Sequence, residues 1–326
     1  MIAYLARRVL AAVPTLVGVN ALTFALFFVV NPPERMARRI LGERRVTPAQ
    51  VRTWLQSHDY DHGMFFDARE RGIKTLTETV FFKKSAALLW FDFGVSDRNN
   101  IPIGEEIRRR MPPSLAVTVP MFLLELAAYL TAALVIAYAR GTYLDAAALV
   151  ACVLLMSVSY LFYIVGGQWV LAKSLHLFPI SGYDHGLHAL PFVLLPVLIG
   201  LAAGAGASIR FYRAVFLEEL GKDHIRTARA KGLSTGAVLF RHALRNALIP
   251  ILTNEVTAIL FLFTGSLLLE SFFGIPGLGS FTIDAIQAQD FAIVRAMVYL
   301  GSVLYIVGLI LTDVAYTIAD PRVRLS

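Results

Sequence analysis

The chain has 326 residues, of which 57% are hydrophobic and only 16% are charged, and its mean hydropathy is +0.64. Because soluble domains carry about 25% charged residues, this composition excludes an ordinary soluble protein and indicates a polytopic membrane protein. The formal net charge of +7 does not indicate a nucleic-acid partner, since the basic residues flank apolar stretches instead of covering one solvated face.

Stretches of about 20 apolar residues, long enough to cross a bilayer, occur six times along the chain. They are Val9–Val30, Ser114–Tyr138, Ala146–Leu171, Ala189–Ile209, Leu248–Glu270 and Ala296–Ile318. The first stretch is longer than the apolar region of a signal peptide and lacks a small-residue cleavage site after it, so we interpret it as a retained helix. The pattern predicts an all-α polytopic membrane protein with six transmembrane helices.

Six spans place both termini on the same side of the membrane, and the basic residues of the short loops indicate which side. With cytoplasmic termini, the short outside loops hold only Lys173 and Arg295, whereas the inner loops and termini are rich in Arg and Lys. Short loops enriched in basic residues stay in the cytoplasm, so we expect both termini there. The long segment after the first span then lies outside, and at this length its own charge has little influence.

These spans divide the chain into three predicted regions. Residues 1–30 form an N-terminal segment with the first transmembrane helix, residues 31–113 an extracytoplasmic insert, and residues 114–326 a five-helix core with a basic cytoplasmic loop at 210–246. The insert mixes charged runs with aromatic residues and predicts a small helical lobe. Within it, Thr47 is expected to cap a helix whose first residue is Pro48.

The middle of the loop 210–246 carries the most informative pattern in the chain. Asp223 is predicted to cap a helix of about two turns, and Gly232 to follow its end. Leu233 is expected to fold back in a Schellman-type stop, and Ser234 to cap the next helix. These capping residues predict a separate short helix inside the loop.

So short a helix is marginal in water by itself and needs a surface to pack against. Ile225 and Ala228 lie three residues apart, so one face of the helix is small and apolar with positive charge at its edges. We expect that face to pack against another protein. A solvated basic loop held by lipid phosphates is the alternative.

The loop sequence resembles the coupling loop of ABC importer permeases, and most closely that of the dipeptide, oligopeptide and nickel branch. The residues that carry the resemblance are Arg226-Thr227-Ala228-Arg229-Ala230-Lys231-Gly232-Leu233, followed by His242-Ala243-Leu244-Arg245-Asn246-Ala247-Leu248 and Pro250. The general family has Glu-Ala-Ala where this chain has residues 226–228, and Leu-Pro where it has residues 244–245. Further similar segments are Phe178–Gly182, Glu270–Gly279 and Asp320–Arg324.

The resemblance implies a type I ABC importer permease fold, a non-catalytic subunit and a set of partners. These partners are a second homologous permease subunit, two ABC ATPase subunits, an extracytoplasmic substrate-binding protein and the lipid membrane. The insert would help to receive the binding protein, or would form a lid on the spans. The residues implied to couple to the ATPase are Asp223, Arg226, Thr227, Ala228, Arg229, Ala230, Lys231, Gly232, Leu233 and Ser234, with His242, Arg245 and Asn246 supporting the loop.

Motifs for catalysis, nucleotide binding or metal binding are missing from the sequence. There is no G-x-x-x-x-G-K-[ST] run, so ATP hydrolysis is expected on separate subunits, and Gly274, Gly277 and Gly279 are interpreted as turn residues. No H-E-x-x-H motif is present. His176, His185 and His188 share a short loop, but we expect no metal site and no cofactor.

Charged residues inside apolar spans are costly and therefore informative. Glu125, Glu255 and Asp313 are candidates for a polar translocation path, and hydrogen bonding between helices is the equally open alternative. Glu270, Arg295 and Asp320 lie near span ends and are expected to reach water.

Together these features predict a permease subunit of an ATP-driven, binding-protein-dependent importer in the bacterial inner membrane. Its substrate would be a di- or oligopeptide or a related small solute, with a nickel chelate or an opine as alternatives. An ion-coupled secondary transporter using the intramembrane carboxylates would show inverted repeats and interrupted helices, and the sequence shows neither. An intramembrane hydrolase would need a facing nucleophile and base, and no such Ser/His pair stands out.

Overall fold

The computed structural model describes residues 2–42, 46–67, 69 and 71–319. Within these ranges the chain is helical, and its single β-bridge joins Val95 to Pro102. This confirms the predicted all-α class. The α-helices of the described residues are α1 Ile2–Phe24, α2 Pro33–Leu41, α3 Pro48–Ser57, α4 Lys74–Thr77, α5 Ile103–Tyr138, α6 Tyr143–Ser157, α7 Tyr160–Gly167, α8 Leu190–Leu220, α9 Asp223–Ala230, α10 Thr235–Ala237, α11 Leu244–Phe261, α12 Leu267–Phe273, α13 Leu278–Ala288 and α14 Phe291–Ala319.

Four helical stretches of the described chain are long and apolar enough to cross a membrane as single segments. They are Leu10–Val29, Ile103–Tyr138, Leu190–Leu220 and Phe291–Val314. Two further pairs qualify only if each bent pair is one span, so the described helices supply four to six crossings. The count of six therefore stays a prediction.

The predicted spans Ala146–Leu171 and Leu248–Glu270 were expected to be continuous, but the first contains a bend and the second is interrupted at Gly265, ahead of a bend that follows its end. Tyr143–Ser157 meets Tyr160–Ser174 at 89°, and Leu262–Phe273 meets Leu278–Ala288 at 68°. At the first bend, Ser159 is extended and its hydroxyl accepts the Phe162 N–H at 3.3 Å, which starts a new helix. Ahead of the second bend, Gly265 interrupts the predicted fifth span with φ +73°, a conformation that suits glycine.

The chain divides into two compact units, of which the first comprises residues 1–110 and 281–310. Its apolar core joins the C-terminal end of α1 to the short helices of the insert, through the buried side chains Phe24, Phe28, Met36, Trp54 and Val80. Helix α3 starts as predicted, with Thr47 as cap and Pro48 first. Thr47 Oγ1 accepts the Gln50 N–H at 3.3 Å and Gln50 Oε1 accepts the Thr47 N–H at 2.9 Å, forming a capping box.

A buried polar network at the start of α14 fixes the end of the insert within this unit. Tyr60 donates to Asp97 Oδ1 at 2.7 Å, and the Ala292 N–H donates to Asp97 Oδ2 at 3.2 Å. Burial raises the pKa of Asp97, and the nearby Arg295 guanidinium opposes this rise. Arg295 is only 4% exposed and lies 4.5 Å from the Phe28 ring centre. The expectation that Arg295 reaches water is therefore wrong, because the insert covers it.

The second unit comprises residues 111–280 and 311–326. Helices α6 and α8 pack closely in it, since a Cβ on Gly206 would lie 2.5 Å from the Cys152 carbonyl oxygen. Near this contact, Arg213 of α8 forms a two-pronged ion pair with the largely buried Asp145 of α6, with two nitrogen–oxygen distances of 2.8 Å. The pair of helices is thus fixed both by shape and by charge.

We predict that Thr47→Ala destabilises α3, because the substitution removes the hydroxyl that accepts the Gln50 N–H. A lost cap costs about 1 kcal/mol, or about fivefold faster hydrogen exchange of the α3 amides. Thr53→Ala is the control, since Thr53 lies inside the same helix and bonds only to the Ala49 carbonyl. Equal exchange rates in the two variants would contradict the capping role.

Candidate functional site

Helix α9 occupies the centre of the loop 210–246 with the length that the sequence predicts. Its cap position, however, belongs to Lys222, whose side chain makes no capping bond. Asp223 is the first helical residue, with a 95% exposed side chain 3.5 Å from Arg226. The prediction of an Asp223 cap is therefore wrong by one residue, although a carboxylate in the first turn still favours the helix dipole.

The end of α9 confirms the predicted stop signal. Gly232 has φ +74° and donates its N–H to the Arg229 carbonyl at 2.9 Å, while Leu233 donates to the Ala228 carbonyl at 3.4 Å. This pair of bonds is a Schellman motif. Ser234 then caps the next helix, as predicted, by accepting the Ala237 N–H at 3.4 Å.

The apolar face of α9 packs against its own chain. Ile225 and Ala228 are 0% and 3% exposed, and they form a cluster with Val238, Ala243 and Leu220. The expectation that this face meets another protein is wrong, because the turn at Gly232 brings residues 238–243 back along the helix. The faces left exposed hold Asp223, His224, Arg226, Thr227, Arg229 and Ala230.

Glu219, which lies near the end of α8 and holds this loop to it, is not among the residues predicted from the sequence. The Glu219 carboxylate is only 5% exposed, and it lies 2.6 Å from Lys222 Nζ and 3.0 Å from His224 Nε2. The same ring nitrogen is 3.2 Å from Asn246 Nδ2 of α11, and because one nitrogen cannot both donate to the carboxylate and accept from the amide, the tautomer of His224 decides which of the two hydrogen bonds forms. The signal that could have revealed Glu219 is the spacing of three residues between this acid, near the end of α8, and Lys222, the cap position of α9.

Only one of the three predicted loop-support residues is joined to α9 by a hydrogen bond of its side chain. That residue is Asn246, through His224. Among the described residues, His242 is half-buried and Arg245 exposed, and neither side chain forms a hydrogen bond or ion pair.

Two of the three intramembrane acids lie in one polar cluster of the second unit. Glu255 accepts the Tyr212 hydroxyl at 2.7 Å, and Glu125 interacts electrostatically with Glu255. Tyr129, one turn from Glu125 on α5, donates its hydroxyl to the Leu201 carbonyl of α8 at 2.6 Å. Asp313 is half-buried on α14. The Tyr212–Glu255 bond joins α8 to α11 and provides for Glu255 the interhelical hydrogen bonding that the sequence left as one alternative, whereas the role of Glu125 stays a prediction.

Glu270 is fully buried, which contradicts the expectation that it reaches water. Its Oε1 accepts the Ser266 N–H at 3.0 Å, and its Oε2 accepts the N–H groups of Gly279 and Ser280 at 2.7 and 3.2 Å. The carboxylate therefore serves the free N–H groups at the starts of both α12 and α13. This arrangement explains why a charged residue sits beside the second bend.

The glycines around Glu270 make room for its carboxylate. A Cβ on Gly265 or Gly277 would lie 2.2 Å from a Glu270 oxygen, and one on Gly279 would lie 2.6 Å from the Ser266 backbone. Gly279 is also part of α13, so its interpretation as a turn residue is wrong. The glycine pattern of the segment Glu270–Gly279 thus follows from close approach as well as from turns.

Two further points of the sequence analysis concern metal binding and the C-terminal segment. Among the described residues, no group of three or more His, Cys, Asp or Glu side chains is arranged to hold a metal ion. The similar segment Asp320–Arg324 lies outside the described residues.

Comparison with known proteins gives a consistent result. Residues 110–325 match the family model described as binding-protein-dependent transport system inner membrane component. The chain is 30% identical over 328 residues to the dipeptide transport system permease protein DppB of Bacillus subtilis (strain 168), covering 100% of this chain and 99% of that protein. It is also 30% identical to a putative peptide transport system permease protein of Brucella abortus (strain 2308) and to the glutathione transport system permease protein GsiC of Escherichia coli (strain K12), with 99% of each chain covered.

We predict that Glu270→Gln lowers the thermal unfolding midpoint of the purified protein. The amide has only one acceptor oxygen and turns an NH₂ group toward backbone donors, so a buried donor loses its partner at a cost of about 2–3 kcal/mol. Asp284→Asn, which neutralises an exposed acid on α13, should change the stability by less than about 0.5 kcal/mol. Equal midpoints for Glu270→Gln and the wild type would show that the carboxylate is not needed as an acceptor.

We also predict that Glu219→Ala loosens α9. Lys222 and His224 are partly exposed, so water screens the lost pairs and the cost is about 1–2 kcal/mol. The α9 amides should therefore exchange about 5- to 30-fold faster. Glu218→Ala is a matched control, because Glu218 is the exposed neighbour on the same helical turn. Similar exchange in both variants would exclude the anchoring role of Glu219.

Proposed function

Because the chain belongs to the family of binding-protein-dependent transport system inner membrane components, we propose that it is the permease subunit of an ATP-driven importer of peptides or a related small solute. The relatives named for dipeptide, peptide and glutathione transport support this range of substrates. The family and the apolar helices make it a multi-pass protein of the inner membrane.

The proposed mechanism is mechanical, and the anchored helix α9 is the observation that carries it. One side of α9 is buried against Leu220 and residues 238–243, and Glu219 and Asn246 link it to the ends of α8 and α11. Its exposed side carries Asp223, Arg226 and Thr227, to which an ATPase subunit would bind. Closure of the ATPases would push α9, and α8 and α11 would move with it between outward-open and inward-open states.

The proposed assembly contains this chain, a second homologous permease, two ABC ATPase subunits and an extracytoplasmic substrate-binding protein. The low basic content of the short outside loops supports cytoplasmic termini and a cytoplasmic loop 210–246. Residues 31–113 then form an extracytoplasmic insert on the side of the binding protein. In the sequence, this insert separates the helix of residues 1–30 from the core of residues 114–326. The polar cluster of Glu125 and Glu255 is proposed to border the translocation path.

An ion-coupled secondary transporter is less well supported, although the helices of this chain are not all continuous. The sequence shows no interrupted helices, yet the structure contains two bent pairs, so interruption by itself does not separate the two transporter classes. Family membership favours the ATP-driven importer.

We predict that Gly232→Val uncouples ATP hydrolysis from uptake. The position has φ +74°, where a β-branched residue is strained by about 1–2 kcal/mol, while no atom lies within 4 Å of the added Cβ. The strain should unwind the stop of α9 without affecting insertion. In proteoliposomes containing all subunits, uptake of labelled dialanine or glutathione per ATP hydrolysed should fall at least tenfold.

The control is Gly236→Val, which also meets no atom within 4 Å but does not have a positive φ. It should retain most of the uptake. Unchanged uptake in an assembled Gly232→Val complex would remove α9 as the coupling element. Uptake driven by an ion gradient without any ATPase would refute the importer proposal as a whole.

A further inference from the structure

A cavity of about 480 Å³ lies in the second unit, where the ends of α5 and α8 meet residues 229–239 of the loop 210–246. Its walls include Tyr138, Arg140, Leu220, Arg229 and Thr235. Cavities of about 300–1,000 Å³ are of the size that binds small molecules or parts of larger ones. Neither the family assignment nor the coupling proposal gives this cavity an occupant.

The charges in the cavity point to an anion. Arg140 and Arg229 are both exposed, and no acidic residue contributes to the lining. Among the described residues, neither guanidinium forms an ion pair or a side-chain hydrogen bond, although Arg140 also attracts Asp145, the carboxylate that Arg213 pairs with. Neighbouring cations differ in this respect, since Arg213, Lys222 and Arg226 each face a carboxylate. Two unpaired guanidinium groups beside the Thr235 hydroxyl are suited to a phosphate.

The position of the cavity points to a lipid. Helix α5 is an apolar helix long enough to span a membrane, and it ends at Tyr138, a residue that is 54% exposed. Exposed tyrosines at the ends of such helices lie at the boundary between the bilayer and water. Leu217, Leu220, Val238 and Leu239 give the cavity an apolar wall next to its two cations. Basic pockets at the ends of transmembrane helices bind the headgroups of anionic lipids.

We propose that this cavity binds the phosphate headgroup of an anionic phospholipid such as phosphatidylglycerol, with Arg140 and Arg229 as its ligands. The apolar wall would contact the upper part of an acyl chain, which a free phosphate lacks. Arg229 belongs both to this site and to the proposed coupling face. The lipid proposal depends on the proposed function in one respect only, which is that the loop lies on the cytoplasmic side of the membrane. Arg229 would then attach α9 to the bilayer surface, while Arg226 would stay available to the ATPase.

Native mass spectrometry of the purified chain in detergent tests the proposal, with phosphatidylglycerol and phosphatidylcholine as probes. The wild type should retain phosphatidylglycerol in preference to phosphatidylcholine. Loss of one cation near an anionic headgroup weakens binding about fivefold, so Arg140→Gln combined with Arg229→Gln should weaken it about 25-fold. The control combines Arg226→Gln with Arg241→Gln, which removes the same charge from exposed positions outside the cavity.

Three results would overturn the proposal. The first is equal retention of phosphatidylglycerol by the cavity variant and the wild type, or an equal loss in the control variant. The second is displacement of the lipid by millimolar inorganic phosphate, which would show that the acyl chain adds nothing. The third is release of the lipid when the ATPase subunits are added, which would assign both arginines to that partner. A chain that retains the lipid but binds no ATPase would refute only the coupling proposal.

Discussion

Backbone groups and charges in an apolar environment must find partners within the protein, and this constraint governs the informative parts of the chain. Where the fifth predicted span breaks near Gly265, free N–H groups at the starts of α12 and α13 would face a surrounding without water. The buried Glu270 carboxylate accepts three of them. The glycines around it are small because the carboxylate and the backbone need that space. One acidic side chain thus makes a sharp bend compatible with a membrane protein.

A second buried carboxylate, Glu219, serves the loop in a related way. It gathers Lys222 and His224 at the point where α8 ends, and His224 continues the contact to Asn246 of α11. With Ile225 and Ala228 buried on the same helix, α9 is held on one side by apolar contacts and at its start by charge. A helix of eight residues held in this way is joined to the long helices that flank it, as the proposed transmission of force requires.

The exposed residues of the loop divide into two groups with different surroundings. Arg226 faces Asp223 on an open surface, whereas Arg229 lines a cavity beside the end of α5. Residues that the resemblance assigns to one role therefore have different surroundings: Arg226 and Arg229 lie three apart on the same side of α9, yet only Arg229 borders the cavity. The loop thus combines the surface proposed for a protein partner with the cavity proposed for a lipid headgroup.

The sequence by itself determined the helical membrane class, the short helix at 223–230 with its stop at Gly232, and the caps at Thr47 and Ser234. Hydrophobic run length and the conformational preferences of glycine, proline and capping residues act over a few neighbouring positions, so they can be read directly. Only the tertiary structure decided that Glu270 and Arg295 are buried, that the predicted span Ala146–Leu171 is bent, and that Ile225 and Ala228 pack on their own chain. The burial of Arg295 and of Ile225 depends on residues distant in sequence, Lys84 and Val238 respectively, and a local pattern carries no information about such partners.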